Sequence, residues 1–118
     1  MAERAPQEWL HDTVVWGEKL ARHIEGQTLE SFLADEKTQD AVSRCIEVVG
    51  EASRRLMEAS PGIETRHPQL ELRKAYAVRN ILAHGYLIAD MEIVWAAATR
   101  SIPTMVTEAR AVLARGEV

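Results

Sequence analysis

The chain has 118 residues, which suits one compact domain over residues 1–118 and excludes two. Its apolar share of 47% and charged share of 27% are those of a folded globular protein and exclude a disordered one. The formal net charge of −4 excludes general nucleic-acid binding through bulk positive charge.

Apolar residues at helical spacing predict five helices along the chain. These helices span about residues 7–25, 29–34, 36–59, 69–84 and 91–115. Pro6 and Gly26 are a start and a stop signal for the first helix, and Thr28 and Asp35 are candidate N-caps for the next two. Asp90 is placed to cap the last helix in the same way.

Two other features shape the expected topology. Residues 60–68 contain two prolines and a glycine, so we expect a loop there. Pro103 falls inside the last helix, where the apolar pattern continues past it, so we expect a kink rather than an end. The stripes expected to form the core are Leu10, Val14, Gly17, Leu20, Ala21 and Ile24; Val42, Cys45, Ile46, Val49, Ala52 and Leu56; and Val94, Ala98, Ile102, Met105, Ala109 and Val112.

The fold class follows from these patterns. No segment alternates polar and apolar residues with period two, and four long helices with short connections predict an all-α, up-down four-helix bundle with one short extra helix. We interpret Trp9, Trp16 and Trp95 as core or dimer contacts. Cys45 lies on an apolar helical face, so we interpret it as a core residue rather than a nucleophile.

The sequence predicts a cytoplasmic protein with no membrane partner. No apolar run approaches the ~20 residues that a membrane span needs. The N-terminal segment MAERAPQEW lacks the apolar region of a signal peptide. The single Cys45 cannot form an internal disulfide, which is compatible with a reducing compartment.

Several kinds of functional site are excluded by their missing motifs. Neither a GxGxxG segment nor a P-loop is present, and the histidines and the cysteine are scattered without metal-ligand spacing. The sequence therefore predicts no cofactor and no metal site. Carboxylates such as Asp40 and Glu47 lie on arginine-rich helices, so we expect them to form surface ion pairs.

One segment, RNILAHGY, concentrates polar side chains at the end of a helix: Arg79, Asn80, His84 and Tyr86. It lies in residues 52–86, where six basic residues face three acidic ones, whereas the remainder has eight against fifteen. A solvated helix face would produce the same asymmetry.

Helix geometry separates two of these side chains. Arg79 and His84 lie about 140° apart and about 7.5 Å apart along the axis, whereas Asn80 and His84 share a face. The group could be a buried polar cluster that fixes the helix. Alternatively, an arginine that binds phosphate and a histidine that transfers protons could cleave RNA through its own 2′-hydroxyl.

The same segment resembles the RxxxxHxY signature of the HepT-like branch of the HEPN superfamily. Residues 38–56, TQDAVSRCIEVVGEASRRL, resemble the long helix of that family, and residues 29–35, LESFLAD, resemble its short second helix. Asp90 with the segments IVW and IPTM is similar to its closing helix. The resemblance covers about residues 8–107.

The resemblance implies an all-α homodimer with metal-independent endoribonuclease activity, in which the motifs of two subunits meet in one cleft. It implies a toxin whose antitoxin partner is an MNT-type nucleotidyltransferase. A two-fold axis could bring Arg79 of one chain toward His84 of the other. The family also implies that the partner attaches AMP to the tyrosine at the position of Tyr86.

The resemblance suggests a role for each site residue. Arg79 would neutralise the scissile phosphate, His84 would act as general acid and base, and Asn80 would orient His84 or the RNA. Tyr86 would line the cleft.

Two further candidates precede this motif. Many relatives carry Pro-Trp-Arg at the start of the motif helix, whereas residues 69–73 here are Gln-Leu-Glu-Leu-Arg. Arg73 keeps the arginine, and with Lys74 it is a candidate for supporting the substrate. Two alternatives stay open: a non-catalytic dimeric module that binds a nucleotidyltransferase and presents nucleotide or substrate, and an inactive remnant.

Overall fold

The computed structural model describes residues 4–84 and 90–118, which form the all-α bundle that the sequence predicts. Its helices are α1 (Pro6–Ile24), α2 (Leu29–Leu33), α3 (Glu36–Ala59), α4 (Ile63–Arg66), α5 (Leu72–His84), α6 (Met91–Ala96) and α7 (Ile102–Arg115). Within the described ranges there is no strand, and none of the helices is both long and apolar enough to cross a bilayer.

The four longer helices pack around one hydrophobic core. Helix α3 lies between α1 and α5, and α1 also packs against α7. The predicted stripes of α3 and of α6–α7 are all buried, which confirms their assignment to the core. In α1, Ala21 was wrongly assigned to the core, because it is exposed near the end of the helix.

The cysteine and the tryptophans contribute to this core as expected. Cys45 is 1% exposed, and burial raises the pKa of its thiol, so it is a core residue. Trp9, Trp16 and Trp95 are half-buried and pack against the core. Trp95 lies beside Phe32, with a ring-centroid distance of 5.1 Å.

Local sequence explains where the first three helices begin. Pro6 is the first residue of α1, where its missing N–H leaves no hydrogen bond unmade. Thr28 accepts from the Ser31 amide, and the Ser31 hydroxyl accepts from the Thr28 amide, which closes a capping box on α2. The Asp35 carboxylate caps α3 by accepting from the amide and the hydroxyl of Thr38, which lowers the pKa of Asp35.

The segment predicted as a loop at residues 60–68 contains a short helix instead. Gly62 adopts φ 86°, a left-handed conformation, and starts α4 at Ile63. A 3₁₀ turn at Pro68–Leu70 follows, and Glu71 is left-handed at φ 49°. This reversal makes α5 begin at Leu72 rather than at the predicted residue 69.

The last helix continues through Pro103, as predicted. A π-helical segment at Ala97–Ser101 joins α6 to α7 just before this proline. Pro103 has no N–H to offer the carbonyl of Thr99, and the wider turn accommodates this break in the α-helical hydrogen-bond ladder. The π segment also contacts α5, the helix that carries the RNILAHGY motif.

Candidate active site

Helix α5 carries most of the residues that the sequence singles out. Leu72, Ala75 and Val78 are buried, and α5 packs against α3. Arg79 is half-buried beside this contact, whereas His84 is exposed as the last residue of the helix. The helix therefore places Arg79 at the α3 side and His84 in solvent.

Gly50 allows α3 to approach α5 at the position of Arg79. A Cβ atom on Gly50 would overlap the Cβ of Arg79, and it would lie 2.8 Å from its Cγ and 3.1 Å from the Ala75 carbonyl oxygen. Only glycine fits such a close approach. Sequence reasoning gave Gly50 no role at the site, although a buried glycine in the middle of a long helix is a signal of close packing.

The Arg79 guanidinium has no acidic partner in the described part of the chain. Its Nη1 donates to Asn80 Oδ1 at 3.1 Å. No described carboxylate lies within 4.0 Å of it, although ion pairs involve Arg4, Arg44, Arg54, Arg55, Arg73, Lys74, Arg110 and Arg115. A guanidinium without a carboxylate partner is suited to bind a phosphate oxygen.

Arg79 opens into a surface cleft of about 460 Å³ that α1, α3 and α5 form together. The residues that line this cleft are Arg4, Trp9, Asp12, Arg44, Glu47, Val48, Glu51, Ala52 and Arg79. Its other charges are matched: Arg4 pairs with Asp12 at 2.9 Å, and Arg44 pairs with Glu47 at 3.6 Å.

The Glu51 carboxylate forms ion pairs with two arginines that do not line the cleft. Its carboxylate accepts from Arg54 at 2.6 Å and from Arg55 at 3.2 Å, and the Arg54 hydrogen bond is the main cause of its lowered pKa. Together with the two pairs above, this leaves Arg79 as the uncompensated cation among the described residues of the cleft.

His84 is separate from Arg79 within one chain. Five residues on a helix place the two side chains about 7.5 Å apart along the axis and about 140° apart around it. No hydrogen bond joins His84 to Arg79 or to Asn80 in the described ranges, and the Asn80 amide is hydrogen-bonded to Arg79 instead. Tyr86, the fourth polar residue of the motif, lies outside the described residues.

Arg73 and Lys74 lie at the other end of α5. Arg73 forms two hydrogen bonds with Glu64, at 2.8 and 2.9 Å, and this carboxylate raises the pKa of Arg73. Lys74 pairs with Glu71 at 3.4 Å. Arg73 begins about 9 Å before Arg79 along the helix axis, and the structure does not place either residue in the Arg79 cleft.

The remaining acidic and metal-ligating residues are dispersed. Glu47 forms the expected ion pair with Arg44, whereas Asp40 forms none with the described residues. Residues 4–84 and 90–118 contain no group of three or more His, Cys, Asp or Glu side chains that could hold a metal ion.

Substituting Gly50→Ala tests the close approach of α3 and α5. We expect the free energy of unfolding to fall by about 1–3 kcal/mol, because the new methyl group overlaps atoms near the Arg79 backbone. Thermal unfolding measures this loss. Gly17→Ala is the matched control, since its methyl group meets mainly one Val106 methyl group across α1 and α7. An equal or larger loss at Gly17 would contradict the special tightness at Gly50.

Comparisons with known proteins place these residues in a family context. The family model described as "Ribonuclease HepT-like" matches residues 17–112. A probable ribonuclease HepT of Thermococcus cleftensis is 29% identical over 103 residues, which cover 87% of this chain and 91% of the relative. A putative RNase of Methanocaldococcus jannaschii is 29% identical over 108 residues, covering 92% of this chain and 87% of the relative. No solved structure gives a significant match.

Proposed function

The chain belongs to the HepT-like ribonuclease family of the HEPN superfamily, and from this membership we propose that it is a metal-independent endoribonuclease. The observation that carries the proposal is the Arg79 guanidinium, which is half-buried in a surface cleft without a carboxylate partner among the described residues. His84, an exposed imidazole on the same helix, supplies the general acid and base.

The proposed reaction uses the 2′-hydroxyl of RNA as the nucleophile. A general base accepts the 2′-hydroxyl proton, the 2′-oxygen forms a bond to phosphorus, and the bond from phosphorus to the 5′-oxygen breaks. A general acid returns a proton to that leaving oxygen, so the products carry a 2′,3′-cyclic phosphate and a 5′-hydroxyl. His84 transfers protons as general acid and base, and Arg79 neutralises the charge that develops on the phosphorane.

The proposed site is shared by two chains of a homodimer. Within one chain, Arg79 faces the cleft and His84 points elsewhere, so a single α5 does not hold both groups against one phosphate. Ala77, Ile81 and His84 lie three and four residues apart and are all exposed, and Ile81 is 38% exposed. A two-fold axis that sets this face of one α5 beside the Arg79 cleft of the partner chain would bring Arg79 and His84 of different chains together.

The proposed biological role is that of a toxin in a toxin–antitoxin pair. Its antitoxin is an MNT-type nucleotidyltransferase, both act in the cytoplasm, and RNA is the target. The partner attaches AMP to Tyr86, two residues after His84. The phosphate of the added AMP would compete with RNA for a site that binds anions, and it would repel the RNA backbone.

Tyr86→Phe should separate activity from its regulation. We expect RNA cleavage to be largely unchanged, because the phenol oxygen has no role in the proposed proton transfers. The nucleotidyltransferase should no longer add AMP at this position, and it should no longer silence cleavage by this route. Intact-protein mass spectrometry with the partner and ATP measures the modification, and adenylylation of the variant at an undiminished level would contradict the assignment.

Purified protein incubated with single-stranded RNA in EDTA tests the proposed function. We expect cleavage that persists when divalent metals are removed. A folded protein that leaves RNA intact but binds a nucleotidyltransferase would overturn the proposal in favour of a non-catalytic partner module. Cleavage that stops in EDTA and returns with added metal would overturn the metal-independent mechanism.

A further inference from the structure

Trp9 lies in the same cleft as Arg79, and the proposed function leaves it without a role. The cleft volume of about 460 Å³ falls within the range of about 300–1,000 Å³ that is typical of small-molecule sites. A second cavity of about 250 Å³ adjoins it, and Arg4 and Trp9 line both. Trp9 is therefore at the junction of two adjacent cavities, one of which leads to Arg79.

The indole of Trp9 already holds a flat, polarisable group, which a base would displace. Its ring is half-buried, and one face already carries the Arg4 guanidinium at 3.9 Å from the ring centroid. The Arg4 side chain is 41% exposed, and it precedes α1. A planar guanidinium stacked on an indole occupies the position that a nucleobase would take, and bases stack on both tryptophan and arginine.

The walls between Trp9 and Arg79 can match the polar edges of a base. Asp12, Glu47 and Glu51 offer acceptor oxygens, and Arg4 and Arg44 offer donors. All five are held in ion pairs, so they add little net charge to the cleft. The attraction for a phosphate is thus concentrated at Arg79, at the α5 side.

We infer that this cleft is a nucleobase subsite for single-stranded RNA, in which an unpaired base stacks on Trp9 while a neighbouring phosphate binds Arg79. The inference rests on the proposed ribonuclease function and adds the substrate class. A base inside a duplex has both faces covered by its neighbours, so double-stranded RNA cannot use the subsite. Trp9 is a binding residue in this scheme and takes no part in proton transfer.

Binding of a short fluorescent RNA to the full-length His84→Ala protein tests the inference, because this variant should bind RNA without cutting it. In that background, Trp9→Leu keeps an apolar side chain and removes the stacking surface. We expect its dissociation constant to rise by about 5- to 150-fold, the usual loss for one stacked base. Trp9→Phe should recover most of the affinity.

Trp95→Leu is the matched control. Trp95 is also half-buried and packs against the core, but neither it nor its ring neighbour Phe32 lines the Arg79 cleft. We expect its affinity for RNA to equal that of the parent. Duplex RNA of the same sequence should compete poorly with the single strand.

A fluorescence measurement covers the case in which Trp9→Leu does not fold. When Trp16→Phe and Trp95→Phe are added to the His84→Ala protein, Trp9 is the remaining indole of the chain and the RNA is not cut. Saturating single-stranded RNA should quench the fluorescence of Trp9 if a base stacks on its ring.

The outcomes separate the two claims. RNA affinity that is equal in Trp9→Leu and the parent, or an unquenched Trp9 at saturation, would overturn the subsite and leave the ribonuclease intact. A folded wild-type protein that neither binds nor cleaves RNA would overturn both the function and the subsite that depends on it.

Discussion

Replacing His84 by alanine is expected to lower the rate of RNA cleavage by about 10²–10⁴-fold, because the site loses its proton-transfer group. Arg79→Ala is expected to lower it by about 10²–10³-fold through the loss of a charge-stabilising donor. His84 is exposed and has no hydrogen bond within the described residues, so its removal should leave the melting temperature unchanged. Cleavage rates and thermal unfolding, measured on the same preparations, check both statements.

Two controls on α1 match these variants. His23 and Arg22 are exposed in the last turn of that helix, far along the chain from the motif. Alanine at either position should leave the cleavage rate unchanged. Full RNA cleavage by a well-folded His84→Ala protein would refute the assignment of His84. A fall of several degrees in its melting temperature, with no ribonuclease activity in the wild type, would favour a structural role.

A substrate that lacks one 2′-hydroxyl at a mapped cleavage position should not be cut there. The 2′-oxygen is the nucleophile in the proposed reaction, so its removal abolishes the reaction instead of slowing it. Cleavage at unmodified positions in the same RNA serves as the internal control, and the 5′ fragments should end in a 2′,3′-cyclic phosphate. Cutting at the deoxy position would show that another nucleophile, such as water, attacks the phosphate.

The sequence predicts the helical bundle correctly because its local signals agree. Proline at the start of α1, capping residues before α2 and α3, and the 3.6-residue stripes all indicate the same helices. The prediction was wrong at residues 60–71. There, Gly62 and Glu71 adopt left-handed conformations, and Glu71 is a residue type for which sequence gives little warning of positive φ.

The candidate site was only partly readable. The segment RNILAHGY pointed to Arg79 and His84, but no local pattern distinguishes a guanidinium that lacks a carboxylate partner from one that is paired. Arg73 illustrates this, because its partner Glu64 is nine residues away across a turn. Local sequence also gives no sign that Gly50 packs against Arg79 or that Trp9 lines the same cleft, because both depend on the packing of α1, α3 and α5.

The central claim is that Arg79 and His84 from different chains form one site, and mixing two inactive variants tests it most directly. Each dimer has two such sites, and each site takes Arg79 from one chain and His84 from the other. In a dimer of one Arg79→Ala chain and one His84→Ala chain, one of the two sites therefore keeps both groups. Random exchange makes about half of the dimers mixed, with one intact site of two in each, so about a quarter of wild-type activity should return. Differently tagged chains that co-purify as mixed dimers and still fail to cleave RNA would contradict the claim.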